Sequence, residues 1–250
     1  MILGKYSFGI GDRFGHQGKA QLAAIRKATE EGVEITPVWN KSNREHKIIG
    51  TQPGDVRTEA DQAVAAGGWQ KPYFVDADHI GLTNVDGFLD ASDFFTLDVA
   101  DFIGRPAPAS EVKAFIRKHQ DLLGSHRIEG IDESLVLDEP RLEAIVTKYL
   151  VAVQQAGETF RHVEARKGVG RFVTEVSMDE TDTPQTPMDM LVILAALADE
   201  GIPAQTIAPK FSGRFNKGVD YVGDVSRFAR EFEQDLAVIR FAVARFALPE

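Results

Sequence analysis

The sequence predicts an α/β fold of TIM-barrel-like (β/α) repeats, with about six of the eight strand–helix units present and a helical insertion. Short apolar strands alternate with amphipathic helices, which indicates a parallel sheet covered by helices. Polar residues follow nearly every strand, as they do at the carboxyl ends of barrel strands. The first turn, FGIGDRFGHQG, is spaced G-x-G-x-x-x-G and carries Asp12 and Arg13, which argues against a dinucleotide site.

Six strands are predicted from short apolar runs bounded by polar or turn residues. They are 6–10, 34–39, 73–75, 94–97, 171–176 and 204–208. The helix over 18–31 is expected to end at Gly32, a residue that favours a left-handed C-terminal cap. Thr186 before Pro187 predicts the start of another helix, which Gly201 closes, and Asp224 predicts the start of the last one.

One stretch breaks the alternation, and we interpret 105–168 as a helical insertion within a single barrel-like domain over 1–250. Only helix is predicted between about Ser110 and Arg166. The second of its helices opens at Asp138. It places an apolar set on one face, comprising Leu142, Ile145, Val146, Tyr149, Val153, Phe160 and Val163. The insertion would cover one end of the barrel or contact a second subunit.

Composition excludes several classes of protein. The formal charge of -10 argues against a nucleic-acid partner, and no apolar run is long enough to span a membrane. The N-terminus lacks the pattern of a signal peptide, and the absence of cysteine excludes disulfides and thiolate metal sites. We therefore expect a cytoplasmic acidic protein that binds a small molecule.

The segment PYFVDADHIG is apolar until Val75 and then carries Asp76, Asp78 and His79. Alternation along a strand would point Asp78 and His79 to opposite faces until the strand ends and a turn re-aims them. An Asp beside a His at a strand end suits a divalent metal with an adjacent proton acceptor. A plain turn is the alternative, since Asp favours turns.

A second acidic segment, EVSMDETDTP, begins at Glu175 inside a predicted strand. A carboxylate there either points into the barrel or is paired, because an unpartnered buried charge is costly. Asp179, Glu180 and Asp182 come later and are interpreted as turn or N-cap residues.

Basic residues at strand ends suggest an anionic small substrate in this acidic protein. Arg44 lies in the predicted loop VWNKSNREHK and suits bidentate binding of a carboxylate. Lys210, Arg214 and Lys217 follow the last predicted strand.

Five segments together resemble the tagaturonate epimerase family, whose bacterial, metal-dependent members interconvert D-tagaturonate and D-fructuronate in hexuronate breakdown. They are FGIGDRFG, FVDADHI, FFTLDVAD, EVSMDETDTPQTP and KGVDYVGD, in the family's order over nearly the whole chain. The resemblance implies a cytoplasmic isomerase that acts on an anionic sugar acid.

The resemblance also implies roles for individual residues. Asp78 would be the proton acceptor, Glu175 the proton donor and His79 a ligand of a divalent cation, which could be Zn, Mn, Ni or Fe. The substrate contacts implied by matching segments are Asp12, Arg13, Arg44, Lys210 and Lys217.

Relative to the family, the chain is expected to be truncated at both ends, without the later strand that carries a second metal-binding histidine. A homo-oligomer or a completing chain is therefore an expected partner, and a non-catalytic or split-gene fragment stays open as the alternative function. A metal-dependent isomerase or aldolase of another sugar is a third reading.

Overall fold

The computed structural model describes residues 1–216 and 219–249. Eight strands occur among these residues: β1 (Ser7–Gly9), β2 (Thr36–Ser42), β3 (Phe74–Ile80), β4 (Phe94–Asp98), β5 (Gly124–His126), β6 (Leu135–Leu137), β7 (Val173–Ser177) and β8 (Thr206–Ala208). The α-helices of the same residues are α1 (Gly18–Glu30), α2 (Asn43–Ile49), α3 (Pro53–Gly67), α4 (Ala109–Lys118), α5 (Glu139–Lys167), α6 (Pro187–Asp199) and α7 (Val225–Phe246).

The main sheet has six strands in the order β1-β2-β3-β4-β7-β8. The pairs β1–β2, β2–β3 and β3–β4 are parallel. All six predicted strands are therefore present, and the α/β class is confirmed. Closure of the sheet into an eight-stranded barrel stays a prediction.

Contacts divide the chain into two compact units. The first comprises Met1–Asp98 and Glu158–Glu175, and the second comprises Val99–Gly157 and Val176–Glu250. The first boundary follows the end of β4, and the other two fall inside α5 and β7. The proposed single domain and its insertion at 105–168 stay predictions.

The sheet of the first unit has one face that packs against helices and one that carries the site. Trp39 and Val75 lie in a core with residues of α1 and α3, such as Leu22 and Ala60. Side chains on the opposite face form a separate apolar cluster of Val38, Phe74, Phe94 and Val173. Because side chains alternate along strands, the residues two positions later share that face and lie closer to the carboxyl ends.

The second unit contains a small sheet that the sequence did not predict. Strands β5 and β6 form an antiparallel pair, with Ser125 opposite Val136. The prediction of helix alone between Ser110 and Arg166 was wrong there, because three-residue strands are too short to show a hydrophobic period. The predicted apolar face of α5 is confirmed, since each of its seven members is buried.

Two further boundaries differ from the predictions. Strand β3 does not end at Val75 but continues to Ile80, so the acidic residues lie within it. The segment predicted as a loop after Trp39 continues β2 to Ser42 and then forms α2. A capping box between Ser42 and Glu45 starts this helix, and Gly50 ends it in the left-handed conformation.

Thr186 begins α6 as predicted. Its hydroxyl accepts a hydrogen bond from the Asp189 backbone N–H at 3.2 Å, and the Asp189 carboxylate accepts one from the Thr186 backbone N–H at 2.8 Å. The predicted helix start at Asp224 is also confirmed, since its carboxylate caps α7.

Thr186→Ala is expected to lower the free energy of unfolding by about 1 kcal/mol, because one backbone donor at the start of α6 loses its acceptor. The measurement is the urea midpoint at constant slope. Thr58→Ala is the control, because Thr58 is exposed within α3 and bonds only the Gly54 carbonyl among the contacts seen. Equal midpoints for the two variants would contradict the capping role.

No helix among the described residues is long and apolar enough to cross a membrane.

Candidate active site on the sheet of the first unit

A bulge in β3 brings Asp78 and His79 together. Ala77 pairs with Phe95 and Ile80 with Leu97, so three steps on β3 oppose two on β4. His79 adopts a φ of 53°, a left-handed conformation that is uncommon for a residue other than glycine. The extra residue interrupts the alternation that would point adjacent side chains to opposite faces of the sheet. As a result, His79 Nδ1 lies 2.7 Å from Asp78 Oδ1. Strained backbone of this kind often marks a functional position.

This contact fixes the role of each ring nitrogen. An ionised carboxylate only accepts hydrogen bonds, so the ring donates through Nδ1–H, and in the neutral form of the ring the lone pair is on Nε2. Histidines that ligate metals are commonly oriented by a carboxylate in this way. His79 therefore has the geometry of a metal ligand acting through Nε2, and Asp78 keeps Oδ2 for other chemistry.

A second cluster lies on the face of the sheet that includes Phe74 and Phe94. The Thr96 hydroxyl lies 3.1 and 3.0 Å from the two oxygens of Asp76 and 3.3 Å from Glu175 Oε1. Three neighbouring strands thus supply an acid, a hydroxyl and a second acid. Asp76 and Thr96 are buried, whereas Glu175 is half-buried. Glu175 is therefore the carboxyl of this cluster that solvent or a ligand can reach.

The pKa of Asp76 is raised well above its ordinary value. The main cause is burial, followed by the negative charges of Asp78 and Glu175. Hydrogen bonding to Thr96 and the charge of His79 act in the opposite direction. A buried acid whose pKa is raised by neighbouring carboxylates is a feature of sites that move protons.

The described residues do not by themselves form a complete set of metal ligands. No group of three or more His, Asp or Glu side chains among them is placed to hold a metal ion. His79 fits as one ligand.

Asp12 and Arg13, two of the predicted substrate contacts, lie after β1. The Asp12 carboxylate accepts hydrogen bonds from the backbone N–H groups of Phe14, His16 and Gln17. These bonds hold the pKa of Asp12 below its ordinary value, although burial acts to raise it. Asp12 thus shapes the β1–α1 turn, and its contact with substrate stays a prediction.

Arg13 follows β1 in the chain, and Arg44 lies in α2, which follows β2. Arg13 Nε lies 3.4 Å from Glu45 Oε1, and the other oxygen of Glu45 accepts a bond from the Ser42 backbone N–H. Ser42 is the residue on β2 that pairs with Asp78. Arg44 is exposed on α2. Both arginines stay predictions as substrate contacts.

The two predicted lysines are placed differently. Lys210 belongs to the second unit, where its backbone N–H donates to Gln185 Oε1 at 2.6 Å. Lys217 lies outside the described residues. Their predicted contact with substrate is therefore neither supported nor contradicted by geometry.

Asp76 and Thr96 were missed as candidate site residues from sequence. A signal for Asp76 was present, since it shares the alternation of Asp78 within FVDADHI. Thr96 carried none, because a threonine inside the apolar strand FFTLD is ordinary strand composition.

Comparisons with known proteins agree on one family. The sequence matches the tagaturonate epimerase family over residues 2–246. It is 27% identical over 246 residues to the tagaturonate/fructuronate epimerase of Thermotoga maritima, an alignment that covers 94% of this chain and 50% of the relative.

Solved structures give the same result. Two crystal structures of the fructuronate-tagaturonate epimerase of Cohnella laeviribosi, one with two glycerol molecules and one with one, match with TM-scores of 0.79 and 0.77. The identities are 26% and 27%, and each match covers 97% of this chain and 50% of the other. The chain thus spans about half the length of the relatives it matches.

Proposed function

This chain belongs to the tagaturonate epimerase family, and we propose that it carries proton-transfer residues of a metal-dependent isomerase that interconverts D-tagaturonate and D-fructuronate. The observation that carries the proposal is the bulge in β3. It brings His79 Nδ1 to 2.7 Å from Asp78 Oδ1. The negative charges of Asp78 and Glu175 both raise the pKa of Asp76. The relatives are named for this reaction.

The substrate chemistry determines which steps are needed. The carbon that is inverted lies two positions from the ketone, so the carbonyl does not acidify its C–H bond. We therefore propose a retro-aldol route. Asp78 removes the proton of the hydroxyl on that carbon, the adjacent C–C bond breaks, and its electron pair passes to the ketone to form an enediolate.

The second half of the route restores the bond with inverted geometry. The aldehyde turns over, the C–C bond reforms, and Glu175 gives a proton to the new alkoxide. In the reverse direction the two carboxyl groups exchange roles. Asp78 Oδ2 is suited to the first step because Oδ1 is engaged by His79.

A divalent cation would be held through His79 Nε2, with its other ligands outside the described residues. When bound, it would orient the substrate and stabilise negative charge on its oxygens. Zn, Mn, Ni and Fe all suit a histidine with carboxylates. The substrate carboxylate would pair with Arg13 and Arg44, and the cytoplasm is the expected location.

A second candidate function follows from the incomplete set of metal ligands among the described residues. In this alternative the chain binds the sugar acid weakly, and a completing polypeptide or a second copy supplies the missing ligands. Turnover that appears only when the second polypeptide is added would favour it.

The test is incubation of the protein with D-tagaturonate and each divalent metal in D2O. We expect D-fructuronate to form without deuterium at the inverted carbon, because the retro-aldol route never breaks that C–H bond. Mass spectrometry and NMR of the product make the measurement. Deuterium at the inverted carbon would exclude this route. Conversion of another ketose without conversion of D-tagaturonate would exclude D-tagaturonate as the substrate.

A further inference from the structure

One hydroxyl serves two carboxyl groups at the centre of the site. Thr96 Oγ lies within 3.1 Å of both oxygens of Asp76 and 3.3 Å from Glu175 Oε1. A hydroxyl has a single proton to donate, and an ionised carboxylate has none. Two ionised carboxylates could therefore not both be hydrogen-bonded by Thr96. If one carboxyl is protonated, it donates to Thr96 Oγ, and Thr96 donates to the other.

The surroundings favour the protonated arrangement. Asp76 is buried, and the charged groups that act on it are Asp78 and His79 from its own strand and Glu175 from β7. Two of these three are acids, so a second negative charge beside them is unfavourable. Burial is the largest cause of the raised pKa of Asp76, because the ionised form loses its hydration.

We propose that Asp76 and Glu175 share one proton through the hydroxyl of Thr96, which makes Asp76 the positioning residue that keeps Glu175 able to donate. The inference rests on the proposed function only in naming Glu175 as the donor. No contact of Asp76 with substrate is required.

The shared proton has two positions, and both leave every group bonded. With the proton on Asp76, Asp76 donates to Thr96 Oγ and Thr96 donates to Glu175 Oε1. With the proton on Glu175, both bonds reverse. The first arrangement becomes the second when the Asp76 carboxyl proton moves to Thr96 Oγ and the Thr96 hydroxyl proton moves to Glu175 Oε1. One O–H bond breaks and one forms in each of these two transfers. Donation to substrate breaks the Glu175 O–H bond and leaves its electron pair on Oε1.

The test is infrared spectroscopy of the 250-residue chain with ¹³C-labelled aspartate or glutamate side chains. We expect a C=O stretching band from a protonated carboxyl group. The aspartate label and the glutamate label should each shift a part of this band, because the proton divides between the two residues. The spectra are recorded near pH 7 in an Asp235→Asn background, which removes another aspartate whose pKa is raised, to about 7.

Thr96→Val and Thr96→Ser are the matched variants. The valine variant keeps the shape of the side chain without the hydroxyl, so only the aspartate label should then shift the band. The serine variant restores the hydroxyl and should restore the division between labels. A wild-type band that shifts entirely with one label overturns the proposal, as does a division that survives in Thr96→Val.

A kinetic measurement separates this proposal from the proposed function. In protein that is catalytically active, Thr96→Val is expected to lower kcat about tenfold or more with little change in KM. The same variant should shift the part of the pH–rate profile that depends on the protonation of Glu175. If Glu175→Gln leaves turnover intact while the band still divides, the shared proton stands and the donor role fails. If the band does not divide while Glu175→Gln abolishes turnover, the donor role stands and the sharing fails.

Discussion

Asp78→Asn is expected to lower epimerase kcat by about 10²–10⁴-fold, because the amide cannot take a proton from the substrate hydroxyl. Asparagine keeps the shape of the side chain, and its carbonyl oxygen can still accept a bond from His79 Nδ1–H. Geometry is therefore preserved while basicity is lost. The measurement is turnover of D-tagaturonate in the catalytically competent protein that contains this chain.

Metal binding must be controlled in that experiment. Loss of a carboxylate that orients a metal-ligating histidine typically weakens metal affinity by about 10–100-fold. Turnover is therefore compared at saturating metal, and metal content is measured in parallel. If kcat recovers fully once the metal is saturating, Asp78 orients His79 and is not the base.

Asp86→Asn provides a matched control in the same unit. Asp86 Oδ1 lies 2.7 Å from His162 Nε2, so this is another Asp–His pair, but its carboxylate is 65% exposed. Breaking an exposed pair has little effect on stability and should leave turnover unchanged. Equal losses for Asp78→Asn and Asp86→Asn would indicate a general effect on folding.

The sequence predicted the six strands because each is an apolar run between polar or turn residues, and the period of such runs is visible without tertiary contacts. It also placed Asp78 and His79 just after the end of a strand, whereas β3 continues through both residues. The mutual position of these two side chains was beyond reach, because strict alternation separates adjacent residues. Only the bulge and the left-handed conformation of His79 bring them together.

The acidic cluster shows the same limit in another form. Asp76 and Glu175 are distant in sequence, and the threonine that joins them lies on a third strand. Such a contact depends on the strand order and on the shared face, which a single sequence does not state. In contrast, the helix start at Thr186 was predicted from adjacent residues alone, and the capping box that forms there joins residues three positions apart.

Helix α7 offers a further example, with a consequence for stability. Its apolar residues Val225, Phe232 and Leu236 are exposed, whereas Asp235 is buried. The spacing of apolar residues along a helix does not reveal which of the acids between them is buried. Burial, together with the charge of Glu231 one turn earlier, raises the pKa of Asp235 to about 7.

Asp235→Asn is expected to stabilise the chain above pH 7 by about 2–4 kcal/mol and to have little effect near pH 4. The raised pKa means that the folded state holds this proton more tightly than the unfolded state, whose pKa is near 3.8. The favourable contribution of the protonated acid is therefore complete below about pH 4 and is lost as pH rises to about 7. A neutral amide removes this dependence.

The measurement is the free energy of unfolding in urea across pH 4–8 for the parent chain and for Asp235→Asn. Glu233→Gln is the control, because it makes the same change from acid to amide at an exposed position of α7. We expect the curve of the Asp235 variant to separate from the parent curve between about pH 4 and pH 7 and then to run parallel to it. A constant difference at every pH would show that the pKa of Asp235 is the same in the folded and unfolded states, and that its burial does not hold a proton.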